Sequence, residues 1–170
     1  MLGQSRIVPF SLYAILSICI TVVDQYTKGW VMLHCPAHMV CPLFAHFNVT
    51  MTTNSGIAFS WFAQSAEVWR TMLLVFSMLI VCCLSVYQWF LNSGQRWARL
   101  GVALIIGGAL GNIIDKLIMG YVIDFIDFYV GLWHFATFNV ADAAISIGAC
   151  CVLIDTYKAP TKQALAKPFY

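Results

Sequence analysis

Charge is scarce in this chain. Asp, Glu, Lys and Arg make up only 9% of its 170 residues, whereas hydrophobic residues make up 61%. A soluble domain carries about 25% charged residues, and so few charges cannot build a water-exposed surface. Lipid must cover most of this molecule. The net charge is only +2, and no Lys/Arg run offers a track for phosphates, which removes nucleic acid as a partner. Metal-binding patterns are missing as well: the seven cysteines include no Cys-x-x-Cys pair and no Cys/His spacing of the zinc type. Cys19, Cys82, Cys83, Cys150 and Cys151 lie in apolar runs and read as small hydrophobes. Cys35 and Cys41 fall in a polar segment, where an oxidising compartment would allow them to pair. There are no internal repeats, low-complexity stretches or linkers, and the length suits one domain.

What the chain does have is apolar length. A helix needs about 20 apolar residues to cross a hydrocarbon layer of ~30 Å. Four runs meet that need, at about 9–31, 68–91, 100–119 and 138–157. They predict an all-α membrane protein with four transmembrane helices, forming a single polytopic domain over 1–170. Asn92-Ser93-Gly94-Gln95 makes a tight turn between the second and third runs. The segments at about 32–67 and 120–137 lie on the other side of the membrane. An even number of spans puts both termini on one side. Arg6, Arg96, Arg99, Lys158, Lys162 and Lys167 share that side, and only Lys28, Arg70 and Lys116 fall at the opposite ends. The basic bias predicts cytoplasmic termini. Asp24, Glu67, Asp115, Asp124, Asp127 and Asp142 all gather toward the outer side, with Asp155 alone inside. The first run, preceded by Arg6, resembles a cleavable leader. Its Leu16-Ser17-Ile18-Cys19 even resembles the Leu-x-x-Cys signal of lipoproteins, but Ile18 is too bulky for the small residue that site requires, so this run is expected to stay as a span.

Between the first two spans, His34-Cys35-Pro36-Ala37-His38 reads as a loop. Leu43 to Phe62 is rich in Phe, Val and Thr, with a turn signal at Asn54-Ser55-Gly56. This predicts a small hairpin or cradle of strands on the outer surface, with Trp61, Phe62 and Trp69 in the interfacial belt. Gly120 to Thr137 alternates in part and reads as an extended segment or short loop at the membrane surface.

Ionisable residues at membrane depth point to function by default. Asp24 and Lys28 are i,i+4 on a helix and face each other, either as an ion pair that neutralises the end of the first span or as part of a substrate site. Gly108, Asn112 and Asp115 share one helical face. They serve either as helix-packing glue, with Lys116 balancing Asp115, or as support for a site. Asp142 stands about one turn into the fourth span, with Asn139 at i−3 and no basic residue within a turn. Beside Asp124 it would form a pair of carboxylates at low dielectric, which share a proton because both cannot ionise easily. Such a pair activates water with one member and polarises a carbonyl with the other, without metal, Ser or Cys. The alternatives for Asp142 are a proton relay or a helix N-terminal charge. Asp127 reads as a solvated interface residue.

Five stretches, in order, resemble the lipoprotein signal peptidases, the bacterial signal peptidase II family. They are Asp24-Gln25-Tyr26-Thr27-Lys28, Asn54-Ser55-Gly56-Ile57-Ala58-Phe59, Gly108 to Lys116, Gly120 to Phe125, and Phe138-Asn139-Val140-Ala141-Asp142-Ala143. The resemblance implies a four-helix bundle with an extracytoplasmic β-cradle between the first two helices. It implies an aspartyl protease of the cytoplasmic (inner) membrane whose Asp124 and Asp142 form the catalytic dyad, with no cofactor. Asn54, Gly56, Gly108, Asn112, Asp115 and Asn139 match positions that shape or support the site. Lys116 departs from the Arg common there and lacks its bidentate fork. The implied substrates are prolipoproteins cut just before a diacylglyceryl-modified Cys, the surrounding partner is membrane lipid, and globomycin-type lipopeptides are the implied inhibitors. The rival readings are a small proton-coupled transporter using Asp142 as a relay, and a membrane scaffold without activity. The absence of repeated halves counts against the transporter. For the topology, reporter fusions after Asn92 and Lys162 should read cytoplasmic, and those near Ala45 and Gly131 external; an external C-terminus would contradict four spans.

Overall fold

The computed structural model describes residues 4–35, 39–56 and 66–165. Helices α1 (Gln4–His34), α2 (Ala66–Phe90), α3 (Arg96–Met119) and α4 (Val140–Leu165) follow the four apolar runs, with shifted ends. All four are long and apolar enough to cross a membrane. The loop around Pro36 and the aromatic residues Trp61 and Phe62 lie outside the described residues, as do the side chains of Arg6 and Lys162 and all of Lys167.

Helix α3 is the centre of the bundle. Of its apolar window 44% is buried, against 6% for α2, and it packs on α1, α2 and α4. In lipid no hydrophobic force drives helices together, so close packing and hydrogen bonds must. Both operate here. A Cβ on Gly101 would run into the Gly148 carbonyl of α4, and one on Gly108 into the Ala141 carbonyl. On the α1 side a polar ladder runs along the interface. Ser17 Oγ donates to the Ala103 carbonyl at 2.8 Å, Thr21 Oγ1 to Gly107 at 2.9 Å, and Gln25 Nε2 to Gly111 at 3.0 Å. Each rung is four residues on from the last in both helices, so one face of α1 is zipped to one face of α3. At the far end Arg99 is buried, and its Nη2 donates to the Leu91 carbonyl at 2.6 Å, satisfying an orphan acceptor where α2 ends.

At the opposite end lies an antiparallel sheet ordered β1-β2-β3-β4, from strands β1 (Val40–Phe44), β2 (Phe47–Asn54), β3 (Val122–Val130) and β4 (Trp133–His134). The cradle expected between the first two helices is therefore only half local. Its other half comes from the α3–α4 connection, where the expected extended segment is a strand of nine residues. A bulge between Val49 and Thr52 sets the register so that Thr52 faces Asp124 and Asn54 faces Val122. Because side chains alternate along a strand, Asn54 and Asp124 then share a face. Cys35 at the end of α1 is disulfide-bonded to Cys41 of β1, which ties the cradle to the bundle. The other cysteines are free, as small hydrophobes in apolar runs would be.

The close α3–α4 approach has a direct consequence. Gly101→Val should cost about 1–3 kcal/mol through overpacking, seen as a lower unfolding midpoint in detergent; an unchanged midpoint would mean the contact has slack.

Candidate active site

Asp124 and Asp142 arrive from different elements and meet at one cleft. Asp124 is the third residue of β3. The Phe138 carbonyl accepts from Phe125 N (3.0 Å) and Ile126 N (2.8 Å), which ties the chain just before α4 against β3. Asn139 follows as the N-cap of α4. Its Oδ1 accepts from Asp142 N at 2.8 Å, and Asp142 Oδ2 accepts in return from Asn139 N at 3.2 Å. This reciprocal cap satisfies two orphan donors and fixes the Asp142 side chain. The fully buried Asn139 also donates through Nδ2 to Asp124 Oδ1 at 2.7 Å. One amide thus touches both carboxylate-bearing residues.

The remaining carboxylate oxygens are also held. Asn54 Nδ2 donates to Asp124 Oδ2 at 3.1 Å, and Asn54 Oδ1 accepts from Gly56 N at 2.9 Å in a turn where Gly56 has φ +72°. That left-handed backbone favours glycine. Asn112 Nδ2 donates to Asp142 Oδ1 at 2.9 Å. Asn54, Gly56, Asn112, Lys116, Val122, Asp124 and Asp142 line a cleft of about 180 Å³. Burial, more than any other cause, holds the Asp124 carboxyl above the usual carboxylate range. The Asn54 bond opposes this, the charge of Asp142 adds to it, and Asn139 and Lys28 pull the other way.

Behind the cleft lies a buried ionic cluster. Lys28, only 2% exposed, places Nζ 2.8 Å from Asp24 Oδ2, 2.7 Å from Asp115 Oδ2 and 3.0 Å from Asn112 Oδ1. The i,i+4 pairing of Asp24 with Lys28 is present. The expected balance of Asp115 by Lys116 is not: Lys28 takes that place from another helix, and Lys116 turns into the cleft. Adjacent residues in a helix point about 100° apart, so Asp115 and Lys116 cannot both face inward. Gly111 lets α1 in, because a Cβ there would overlap the Asp24 carboxylate. Gly108 does the same for α4 one turn earlier.

Asp127 corrects a second expectation. It is 4% exposed rather than solvated, with Oδ2 accepting from Asn48 Nδ2 at 3.0 Å and Oδ1 from His134 Nδ1 at 2.8 Å. Gln25 and Thr52 also hold the site. Gln25 Nε2 donates to Asp115 Oδ1 at 2.7 Å, and Thr52 Oγ1 to the Asp124 carbonyl at 3.0 Å. A glutamine at membrane depth beside Asp24 is itself a signal; nothing in the sequence marks Thr52.

Fold and site together define a polytopic membrane protein with a carboxylate-lined cleft at one end of its bundle. A family model for signal peptidase II (SPase II) matches residues 16–158. The lipoprotein signal peptidase of Photorhabdus laumondii subsp. laumondii is 40% identical over 150 residues, covering 88% of this chain and 90% of that protein. That of Yersinia enterocolitica is 40% identical over 148 residues, covering 87% and 88%. Two solved structures of a bacterial membrane enzyme, obtained by the in meso method, share the fold at TM-scores of 0.77 and 0.71 and 24% identity, covering 94% of this chain and 95% of theirs. The chain belongs to the signal peptidase II family, a family of membrane proteases.

Asp127 offers a pH test independent of catalysis. Burial alone would raise its carboxyl, but the bonds from His134 and Asn48 outweigh it and hold the group below its ordinary value. A depressed carboxyl stabilises the fold above the unfolded value of about 3.9 and loses that contribution as pH falls through the folded value. Asp127→Asn should therefore melt below the parent at pH 6, and the gap should close toward pH 3; a gap independent of pH would contradict the assignment.

Proposed function

We propose that this protein is an aspartyl endopeptidase that removes signal peptides from prolipoproteins, cutting just before the diacylglyceryl-modified cysteine, with Asp124 and Asp142 as its catalytic dyad. The observation that carries the reading is the single buried amide of Asn139 bonded to both aspartates at the cleft. In the reaction Asp142 takes a proton from water as the oxygen attacks the scissile carbonyl. Asp124, whose burial favours its protonated form, donates to the carbonyl oxygen. Collapse of the tetrahedral intermediate breaks the C–N bond. The departing cysteine nitrogen takes a proton from the dyad, and the signal peptide leaves with a new carboxyl group. Water is the nucleophile, so the dyad requires no metal, cofactor or covalent intermediate.

Asn54, Gly56, Gly108, Asn112, Asp115, Asn139, Asp24 and Lys28 support the dyad in this reading, and Lys116 offers a cation at the cleft mouth. Both termini are assigned to the cytoplasm and the cleft to the outer face of the inner membrane. The Cys35–Cys41 disulfide supports that side, since disulfides persist in oxidising compartments. Membrane lipid surrounds the substrate's acyl chains, and globomycin-type lipopeptides would compete for the same cleft.

The test is mutational. Asp124→Asn and Asp142→Asn should each abolish cleavage of a lipidated prolipoprotein with insertion intact, and the double variant should be barely worse, because members of one catalytic unit are not additive. The rate should follow a bell against pH whose limits belong to the pair. Asp127→Asn should stay active. Near-normal cleavage by Asp142→Asn, together with loss in Asp127→Asn, would overturn the dyad. Asn112→Ala and Asn139→Ala should lower turnover while the protein stays inserted.

A further inference from the structure

Lys28 reaches both halves of the dyad without touching either. An ammonium has three donors and no acceptor, and here all three are used, on Asp24, Asp115 and Asn112. Each carboxylate partner also grips a backbone amide. Asp24 Oδ1 accepts from Ala141 N at 2.9 Å, and Ala141 immediately precedes Asp142. Asp115 Oδ2 accepts from Ile123 N at 3.2 Å, and Ile123 immediately precedes Asp124. The third partner, Asn112, is an amide whose two ends differ chemically. Lys28 can only donate, so Oδ1 must face it, and Nδ2 is thereby turned to Asp142 Oδ1 at 2.9 Å. Asn139 Nδ2 reinforces the choice by donating to the same Asn112 Oδ1 at 3.2 Å.

We propose that Lys28 is the positioning residue of this site: its ammonium locks the Asn112 amide so that an N–H, not an oxygen, is presented to Asp142, and its carboxylate partners fix the backbone just before each aspartate. The proposal rests on the dyad reading. Without the ammonium, the Asn112 amide can turn over and set Oδ1 against the Asp142 carboxylate, which disfavours the charged base.

Removing Lys28 alone would leave two buried carboxylates uncompensated, and such a variant can fail to fold. The test therefore uses Asp24→Asn/Lys28→Met/Asp115→Asn. This triple variant is neutral and keeps acceptors for Ala141 N and Ile123 N. Purified full-length protein is assayed with a diacylglyceryl-modified prolipoprotein, with and without Asn112→Ala added. The triple variant should melt near the parent and keep KM within about twofold, while kcat falls about 100-fold, the scale of a misplaced catalytic group. Adding Asn112→Ala should then cost little more. A kcat within about twofold of the parent, or losses that multiply, would overturn the proposal.

A second arm stands if the triple variant does not fold. Asn112→Asp keeps an acceptor for Lys28 but replaces the N–H facing Asp142 with an oxygen. Two opposed carboxylates must share a proton, which disfavours the charged base, so the acidic limb of the pH profile should move at least about one unit toward alkaline pH. Uniform loss with an unmoved profile would overturn the proposal as well. Activity in Asp124→Asn or Asp142→Asn would instead sink the dyad reading beneath it.

Discussion

A lysine ammonium buried beside two carboxylates constrains the whole sheet-bearing end of this molecule. Removing such charges from water costs several kcal/mol per ion unless partners and hydrogen bonds surround them. Asp24, Lys28 and Asp115 therefore have to meet, and their meeting sets α1 against α3 at that end. The ladder of Ser17, Thr21 and Gln25 holds the same register farther down the bundle. Through Ala141 N and Ile123 N the same two carboxylates also set where α4 begins and where β3 leaves α3. Polar groups that would be a liability in lipid thus become the fixed points from which the cleft is built.

The cleft combines two environments that a lipid-anchored substrate would need. It opens where the bundle meets the sheet, next to apolar helix faces. Inside, each carboxylate oxygen has a designated amide or backbone donor, and burial of Asp124 separates its behaviour from that of a free aspartate. Such bonds hold both carboxylates in one orientation.

Much of this architecture was legible from hydropathy, because four apolar runs of sufficient length have few alternatives in a bilayer. The polar residues interrupting those runs marked Asp24, Lys28, Asn112, Asp115, Asn139 and Asp142. What remained hidden were long-range choices. Nothing local tells Asp115 to pair with Lys28 from another helix rather than with its neighbour Lys116. The bulge between Val49 and Thr52, which turns Asn54 toward Asp124, leaves no trace in an alternating pattern. Asp127 looked solvated because a short strand at a membrane surface usually is, and only the fold shows Asn48 and His134 closing over it. Serine and threonine in an apolar helix do not reveal which carbonyl they will reach across 86 residues.

In the proposed reaction water attacks a peptide bond under the direction of Asp124 and Asp142, without a metal or a covalent nucleophile. Mass spectrometry of products from purified protein and a diacylglyceryl-modified prolipoprotein, with a chelator and a serine-directed reagent present, tests it most directly. The account predicts two fragments, one a free signal peptide and the other beginning at the lipid-bearing cysteine, formed at the same rate with or without the additives. An intact substrate, a cut at another bond, or cleavage lost to either additive would contradict it.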